Sequence, residues 1–305
     1  MPPDAALPAR KSTGVGLLWA FVLIAAPVAS ADQIGSPGNP LPGGPAQPHQ
    51  RAEVIGSTDH GCLVGGEALP LQGPGYEVVR PERKRFFGHP EAVDFIEGLA
   101  RRAQAAGLPL LYVGDMALPR GGPMPDSAHH SHQTGLDIDF WFTFGPHYSP
   151  TALKQAAPDP RSMLEAGHPQ IDSARFGRDQ MNLLRFALSD PRVDRIYVDP
   201  AIKLALCRGK ADANYFGTDW LRRLLPWPKH DDHFHVRLRC PEDSPDCEPQ
   251  ASMPEGDGCA ALASGKLPPA PLRAVSPPAH AALCARMLTR GTLKPMTVKL
   301  GDRRK

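Results

Sequence analysis

The chain has 305 residues, of which 41% are hydrophobic, and a formal net charge of +2 at pH 7. This length and apolar content suffice for one sizeable core. The net charge says little about partners, but the absence of a Lys/Arg run, a recognition-helix pattern and an aromatic RNA motif argues against a nucleic acid partner. The 36 prolines and 29 glycines indicate much loop and extended structure, so we expect one domain with irregular tails.

The first 31 residues have the pattern of a secretory signal peptide. A basic pair at 10–11 precedes an apolar run over 15–28. The run is followed by Ala-Ser-Ala at 29–31, a cleavage signature of small residues. The run is short and contains a proline, which disfavours a membrane span, although an uncleaved anchor is the alternative. We therefore expect an exported protein without a stable membrane anchor after signal cleavage. A Pro/Gly-rich lead-in over 32–55 follows.

Apolar periodicity then predicts the regular elements of a single domain over 56–290. The predicted helices cover 89–104, 176–188, 201–206 and 281–288, and the predicted strands cover 110–113, 136–142, 195–198 and the region of 233–235. The section after Cys240 is rich in Pro and Ala, and a tail over 291–305 ends the chain. This order predicts an α+β fold, with a small antiparallel sheet flanked by helices and long loops.

The first cluster of metal-binding side chains lies at 128–139, with the sequence AHHSHQTGLDID. Gly135 allows a turn, and the alternation that follows puts Asp137 and Asp139 on one face of a strand. Imidazole nitrogen and carboxylate oxygen are zinc ligands, and a catalytic zinc has three protein ligands and an open position. His132 and one of the two aspartates supply two of them, and spacing alone does not choose between the aspartates.

The second cluster lies at 230–239, with the sequence HDDHFHVRLR. His233 and His235 alternate on a strand and so face the same side, where one of them would complete the ligand set. Any one of these histidines, taken alone, is readily explained as an ordinary surface or core residue. Two dense clusters in one chain favour a metal site.

All six cysteines follow the predicted signal peptide, and an even number in an exported chain predicts disulfides. The absence of Cys-x-x-Cys disfavours a zinc ribbon or a thioredoxin-like redox centre. Fifteen pairings are open on sequence alone. Cys240 and Cys247 bracket a short loop, and Cys62 and Cys284 lie near the two ends. We therefore predict Cys240–Cys247 and Cys62–Cys284, which leaves Cys207–Cys259.

The two clusters, at 131–139 and 230–239, resemble the two signatures of the penicillin-insensitive murein endopeptidases. The resemblance extends to the runs 114–117, 121–122 and 198–203 and to the six cysteines. It also reaches a wider group of zinc peptidases with His-x6-Asp and a later His-x-His, which includes lysostaphin, the D-alanyl-D-alanine dipeptidases and the hedgehog signalling domain. The resemblance implies their type of fold and a zinc cofactor.

The same resemblance assigns the zinc ligands. It implies that His132, Asp139 and His235 bind the ion. His129 matches a further family histidine, which is either an additional ligand or a group just behind the ligands.

The resemblance also implies catalytic roles. His233 matches the residue that accepts a proton from the attacking water, and His230 matches a position from which a side chain could donate to the developing oxyanion. His130 has no counterpart and is predicted to be a solvated loop residue. His168 is a weak candidate for a second metal, with a surface-loop role favoured.

The function that the resemblance implies is hydrolysis of D-alanyl–meso-diaminopimelyl cross-links in peptidoglycan by zinc-activated water, in the periplasm. No His-Glu-x-x-His, Gly-x-Ser-x-Gly or Ser-x-x-Lys motif offers another catalytic centre. A D-alanyl-D-alanine carboxypeptidase or dipeptidase with the same zinc site is the first alternative, and a non-catalytic zinc or cell-wall binding protein is the second. The sequence leaves open the oligomeric state, including a homodimer, and the bond cleaved.

Overall fold

The computed structural model describes residues 51–124, 130–146, 159–209, 219–253, 255–266 and 278–290. The predicted signal peptide, the lead-in before residue 51 and the tail over 291–305 lie outside the described residues. Within the described ranges, no helix is long and apolar enough to cross a membrane.

Eleven strands in the described part of the chain form one large sheet and two small ones. They are β1 (Glu53–Ser57), β2 (His60–Val64), β3 (Glu67–Ala68), β4 (Gln72–Gly73), β5 (Tyr76–Val78), β6 (Phe87–Gly88), β7 (Leu111–Val113), β8 (Asp137–Trp141), β9 (Val193–Val198), β10 (Leu224–Pro226) and β11 (His233–Leu238). The large sheet has the order β10-β9-β11-β8-β7-β5-β4, while β1 pairs with β2 and β3 with β6. Strands β8 and β11 therefore lie near the middle of the large sheet, where both backbone edges are paired.

Helices are fewer and are joined by long loops. The described ones are α1 (Pro90–Ala105), α2 (Arg178–Leu188), α3 (Pro200–Gly209), α4 (Asp219–Arg222), α5 (Cys259–Ala263) and α6 (Pro278–Arg290), with a 3-10 turn at Pro81–Arg83. Helix α1 begins where its sequence allows, because Pro90 has no N–H to leave unpaired and His89 Nδ1 accepts a hydrogen bond from the Glu91 N–H.

One face of the large sheet packs against α1 and α2 to form the main core. Phe140 of β8 stacks on Phe234 of β11 at a centroid distance of 5.4 Å, and Phe95 of α1 meets Phe140 edge-on at 6.3 Å. Leu183 and Leu184 of α2 are fully buried in the same cluster. Because side chains alternate along a strand, the remaining side chains of β8 and β11 lie on the opposite face.

Three disulfides confirm the predicted pairing. Cys62 of β2 joins Cys284 of α6 across 222 residues, Cys207 of α3 joins Cys259 of α5, and Cys240 joins Cys247 across 7 residues. No cysteine is free. The first bridge holds the last described helix against the first hairpin of the domain.

The α+β class, with a sheet flanked by helices and long loops, is confirmed, and each predicted helix is present with ends shifted by a few residues. The large sheet is mixed rather than wholly antiparallel, since β5 pairs with β7 and β10 with β9 in parallel. Parallel neighbours come from segments far apart in the chain, which local periodicity does not reveal. Strand β1 begins at Glu53, inside the segment predicted as lead-in.

Candidate metal centre

The candidate site lies on the face of β8 and β11 that points away from the core. The two strands are antiparallel neighbours, so their register decides which side chains meet. It forms three cross-strand pairs on this face: Trp141 with His233, Asp139 with His235, and Asp137 with Arg237. We call these three pairs the site ladder.

The middle pair of the site ladder forms a buried cluster with His132, which lies on the loop before β8. Asp139 Oδ1 lies 3.3 Å from His132 Nε2 and 3.1 Å from His235 Nδ1. One ligand atom from each residue lies within 4.8 Å of the others, and no other described group of three or more His, Cys, Asp or Glu side chains is arranged in this way. The structure thus brings together two predicted residues from the first cluster, His132 and Asp139, and one from the second cluster, His235.

Hydrogen bonds behind the cluster orient both imidazoles. His132 Nδ1 lies 2.8 Å from the carbonyl oxygen of Met116, and His235 Nε2 lies 2.9 Å from Asp137 Oδ1. Since a carbonyl and a carboxylate only accept, these nitrogens carry the protons, and the other nitrogen of each neutral ring presents a lone pair towards Asp139.

The donor set fits a zinc ion. Two imidazole lone pairs and one carboxylate oxygen converge within the distances given above, and Asp139 Oδ1 is buried without a hydrogen bond of good geometry from any described residue. Electron-rich atoms in this arrangement repel one another unless a positive charge lies between them. Two histidines and one carboxylate are ligands of the kind that catalytic zinc uses.

The loop geometry that delivers His132 depends on unusual backbone conformations. His132 has φ 67°, a left-handed conformation that is uncommon for a residue other than glycine. Gly135 has φ 71°, and a Cβ there would lie 2.7 Å from Leu63 Cδ2, so only glycine fits this predicted turn. Gly121 has φ 65°, and a Cβ there would overlap the carbonyl oxygen of Gln133.

Charge in the cluster is balanced by groups around it. Burial alone would raise the pKa of Asp139, but the charges of His132 and His233 hold that pKa well below its usual value. Burial alone would lower the pKa of His132, but the charge of Asp139 raises it to about 9. Electrostatics that stabilise a proton between these groups also favour a cation there.

The second aspartate, Asp137, has a different environment. It is fully buried and accepts hydrogen bonds from Arg237 Nε at 2.7 Å and from the His132 backbone N–H at 3.0 Å, besides that from His235. Burial raises its pKa, but the Arg237 guanidinium and then His235 outweigh burial and hold the pKa far below its usual range. Asp137 therefore acts on the cluster through His132 and His235.

His233 lies at the solvent side of the cluster. Its Nε2 is 4.0 Å from Asp139 Oδ1, and its Nδ1 forms a 2.5 Å hydrogen bond to Asp232 Oδ1. Asp232 thus holds the proton on Nδ1 and leaves the Nε2 lone pair facing the cluster. Burial lowers the pKa of His233, but the charge of Asp139 and the bond to Asp232 give a net rise.

His230 packs beside His233, with ring centroids 4.9 Å apart. Its Nδ1 lies 3.1 Å from the carbonyl oxygen of Pro228, so Nδ1 carries the proton and Nε2 is an acceptor in the neutral ring. Burial, and then the charge of His233, lower the pKa of His230 to about 3. Donation from Nε2 to an oxyanion would need a second proton on the ring, and the role of His230 as an oxyanion donor stays a prediction.

The remaining predicted residues lie elsewhere. His130 is exposed, and its carbonyl oxygen accepts a hydrogen bond from Gln133. His168 is exposed on a turn and is not part of a described metal-binding group. His129 lies outside the described residues, so its role as a ligand stays a prediction.

Sequence reasoning did not find three groups that position the site. The Met116 carbonyl left no signal, because any residue type supplies a carbonyl. Asp232 and Arg237 are both part of the second cluster: Asp232 directly precedes His233, and Arg237 continues the alternation of His233 and His235. Only the register identified the buried partner of Arg237.

Comparison with known proteins places the whole described domain in one family. Residues 54–288 match the model of a family described as penicillin-insensitive murein endopeptidase. The chain is similar to a protein of that name from Haemophilus influenzae, with 42% identity over 231 residues that cover 75% of this chain and 78% of the relative. It is also similar to proteins of that name from Salmonella newport and Salmonella typhimurium, each with 38% identity over 262 residues that cover 86% of this chain and 90% of the relative.

Proposed function

The chain belongs to the penicillin-insensitive murein endopeptidase family, and from that premise we propose that it is a zinc-dependent endopeptidase of peptidoglycan. We further propose that it hydrolyses D-alanyl–meso-diaminopimelyl cross-links in the periplasm. The observation that carries the proposal is the buried cluster of His132, Asp139 and His235, whose ligand atoms lie within 4.8 Å of one another. The names of the relatives support the substrate, and three disulfides support a compartment outside the cytoplasm.

His132 Nε2, Asp139 Oδ1 and His235 Nδ1 would hold the ion. A bound zinc supplies Lewis-acid chemistry, because it polarises a carbonyl group and makes a coordinated water more acidic. The hydrogen bonds from His132 to Met116 and from His235 to Asp137 keep both rings in the tautomer that this role requires.

His233 is the proposed proton acceptor. Its Nε2 faces the cluster with a lone pair, while Asp232 fixes the proton on the opposite nitrogen. Because the imidazole pKa lies close to neutral pH, Nε2 can take a proton during attack on the peptide carbonyl and return it to the leaving amine. The hydrogen bond to the Asp232 carboxylate makes Nε2 more basic and so favours the first of these transfers.

His230 is proposed to act on His233 by packing rather than by donating to an oxyanion. Its neutral ring lies beside that of His233 and excludes water from one side of it. A substitution of His230 is therefore expected to lower turnover through the placement of His233 and to leave the zinc content unchanged.

The test is mass spectrometry of purified cross-linked muropeptide dimers after incubation with the zinc-loaded protein. The expected result is conversion of dimers to monomers without loss of terminal D-alanine. Loss of terminal D-alanine from intact dimers would identify a carboxypeptidase instead. Binding without any hydrolysis would identify a non-catalytic protein, and the His235→Ala variant provides the baseline.

A further inference from the structure

An arginine and a tryptophan extend the site beyond the metal cluster. Trp141 is the partner of His233 in the site ladder, one strand repeat along β8 from Asp139. The Arg80 guanidinium lies over the Trp141 ring, with its carbon 5.3 Å from the ring centroid. Trp141 thus contacts Arg80 through its ring and is the cross-strand neighbour of His233, with Cβ atoms about 4.5 to 5.5 Å apart in such pairs.

The backbone at Arg80 is held in an unusual conformation. Arg80 has φ 56° and ψ 47°, in the left-handed region, where it precedes the 3-10 turn at Pro81–Arg83. A residue other than glycine is uncommon in this region, and such conformations cluster at functional sites.

Arg80 differs from the neighbouring arginines in the carboxylate with which it forms an ion pair. Arg83 and Arg85 both approach the buried carboxylate of Asp115, at 3.6 and 2.7 Å. Arg80 instead pairs at 2.6 Å with Asp159, whose side chain is 92% exposed. A carboxylate therefore reaches the Arg80 guanidinium from the solvent side of the site.

The ion pair with Asp159 is replaceable. Asp159 is open to solvent, and ion pairs in contact with water contribute little to stability, because water solvates the carboxylate when it separates from the arginine. A substrate carboxylate brought to the site by other contacts can displace Asp159 at little cost. The cation–π contact with the face of the Trp141 ring keeps the guanidinium in place during this exchange.

The proposed substrate has a carboxylate in a suitable position. When an amino group of meso-diaminopimelate forms the cross-link, the carbon that bears the scissile nitrogen also bears a free carboxylate. Arginine binds carboxylates with two parallel hydrogen bonds, which fixes orientation as well as position. We infer that Arg80, supported by Trp141, binds this carboxylate on the leaving-group side of the scissile bond and selects substrates that carry it. The inference rests on the proposed function.

The experiment compares two dimers that differ at one group. One has the free carboxylate next to the scissile nitrogen, and the other has a primary amide there. We expect the kcat/KM of the native protein to fall about 10- to 100-fold on amidation, which corresponds to the loss of hydrogen bonds to a charged group. Arg80→Gln should lose a similar factor on the free carboxylate and should not distinguish the two dimers.

Three further variants sharpen the comparison. Arg80→Lys keeps the charge and should retain part of the preference for the carboxylate. Asp159→Asn removes the competing carboxylate and should lower KM by about 1.5- to 5-fold. Arg101→Gln is the matched control, since Arg101 forms an exposed pair with Glu97 at 3.3 Å on α1, and it should behave like the native protein.

The outcomes separate this inference from the proposed function. If the native protein cleaves both dimers equally well, or if Arg80→Gln keeps the full preference for the carboxylate, Arg80 is not the anchor although the endopeptidase activity stands. If the native protein cleaves neither dimer, the proposed function fails and the anchor fails with it. The amidated dimer tests the native protein directly, so the conclusion does not depend on how well a variant folds.

Discussion

The buried pair of Asp137 and Arg237 offers the sharpest test of how the site is held. Arg237→Met keeps much of the aliphatic volume and removes the guanidinium. Asp137 is then a fully buried carboxylate that keeps its hydrogen bonds to His235 and to the His132 N–H but loses those to Arg237 at 2.7 and 3.5 Å. The bond from Arg237 to Gln250 at 2.9 Å is lost as well.

The expected magnitude follows from leaving one charge of a buried pair uncompensated. Such a change costs about 3 to 5 kcal/mol in the free energy of unfolding, whereas loss of an exposed pair costs about 0 to 1 kcal/mol. The assay is urea unfolding of the zinc-free protein, followed by circular dichroism. Arg101→Met is the matched control because Arg101 and Glu97 form an exposed pair on α1.

Zinc affinity gives a second and independent measure of the effect of Arg237→Met. Asp137 orients both His132 and His235, and loss of such support commonly weakens metal binding by about 10- to 100-fold. Competition with a chromogenic chelator measures this change. If Arg237→Met loses no more stability than Arg101→Met and binds zinc as tightly as the native protein, the buried pair does not support the site.

Three other predictions concern separate parts of the molecule. His233→Ala should keep its zinc and lose about 10²- to 10⁴-fold in kcat, whereas His235→Ala should lose zinc and activity together; elemental analysis and turnover on the same samples check both. Burial lowers the pKa of His89 below 6.5, so below that pH the unfolded chain takes up a proton that the folded protein excludes. Native stability should therefore fall relative to His89→Asn by at most about 1.4 kcal/mol per pH unit, from pH 6.5 down to the folded-state pKa, as measured by urea midpoints at pH 7.5 and 5.5; equal pH dependence in the two proteins would contradict this. Gly121→Ala should lower the free energy of unfolding by at least about 1 to 3 kcal/mol, because its φ is positive and an added Cβ would also overlap the carbonyl oxygen of Gln133. Gly98→Ala, where a Cβ meets nothing within 4 Å in a helix, should raise it by about 0.5 to 1 kcal/mol.

Local sequence patterns predicted the elements with strong periodicity or clear boundaries. Helix α1 was predicted over 89–104 and lies at Pro90–Ala105, because proline before the apolar repeat and glycine after it mark its ends. The alternation over 136–142 predicted β8. The disulfides followed from cysteine positions because two of the pairs could be placed by loop length and by proximity to the chain ends.

The choice between the two aspartates shows what local patterns do not contain. Asp137 and Asp139 have the same residue type, the same face of the same strand and similar burial. They differ in what stands opposite on β11, since Asp139 meets His235 and Asp137 meets Arg237. That register depends on contacts between segments about 100 residues apart, so the sequence pattern alone left the choice open.

Other parts of the site could not be predicted from sequence patterns, for a related reason. The contact between Arg80 and Trp141 joins a loop before α1 to the end of β8, and neither residue belongs to a dense motif. The tautomers of His132 and His235 depend on acceptors supplied by distant segments. The family resemblance named ligands and catalytic groups, but the orientation of each ring came from the fold.

With the proposed zinc site, the register of the site ladder also links metal uptake to the fraction of correctly folded molecules. A slip of β11 by one residue against β8 would break all three of its pairs, because it would turn His233, His235 and Arg237 towards the interior and bring Phe234 to the opposite face. No slipped arrangement keeps His235 opposite Asp139. During oxidative refolding, the stoichiometry of zinc retained after gel filtration should therefore report the fraction of chains in the native register, even where overall secondary structure no longer distinguishes native from misfolded protein.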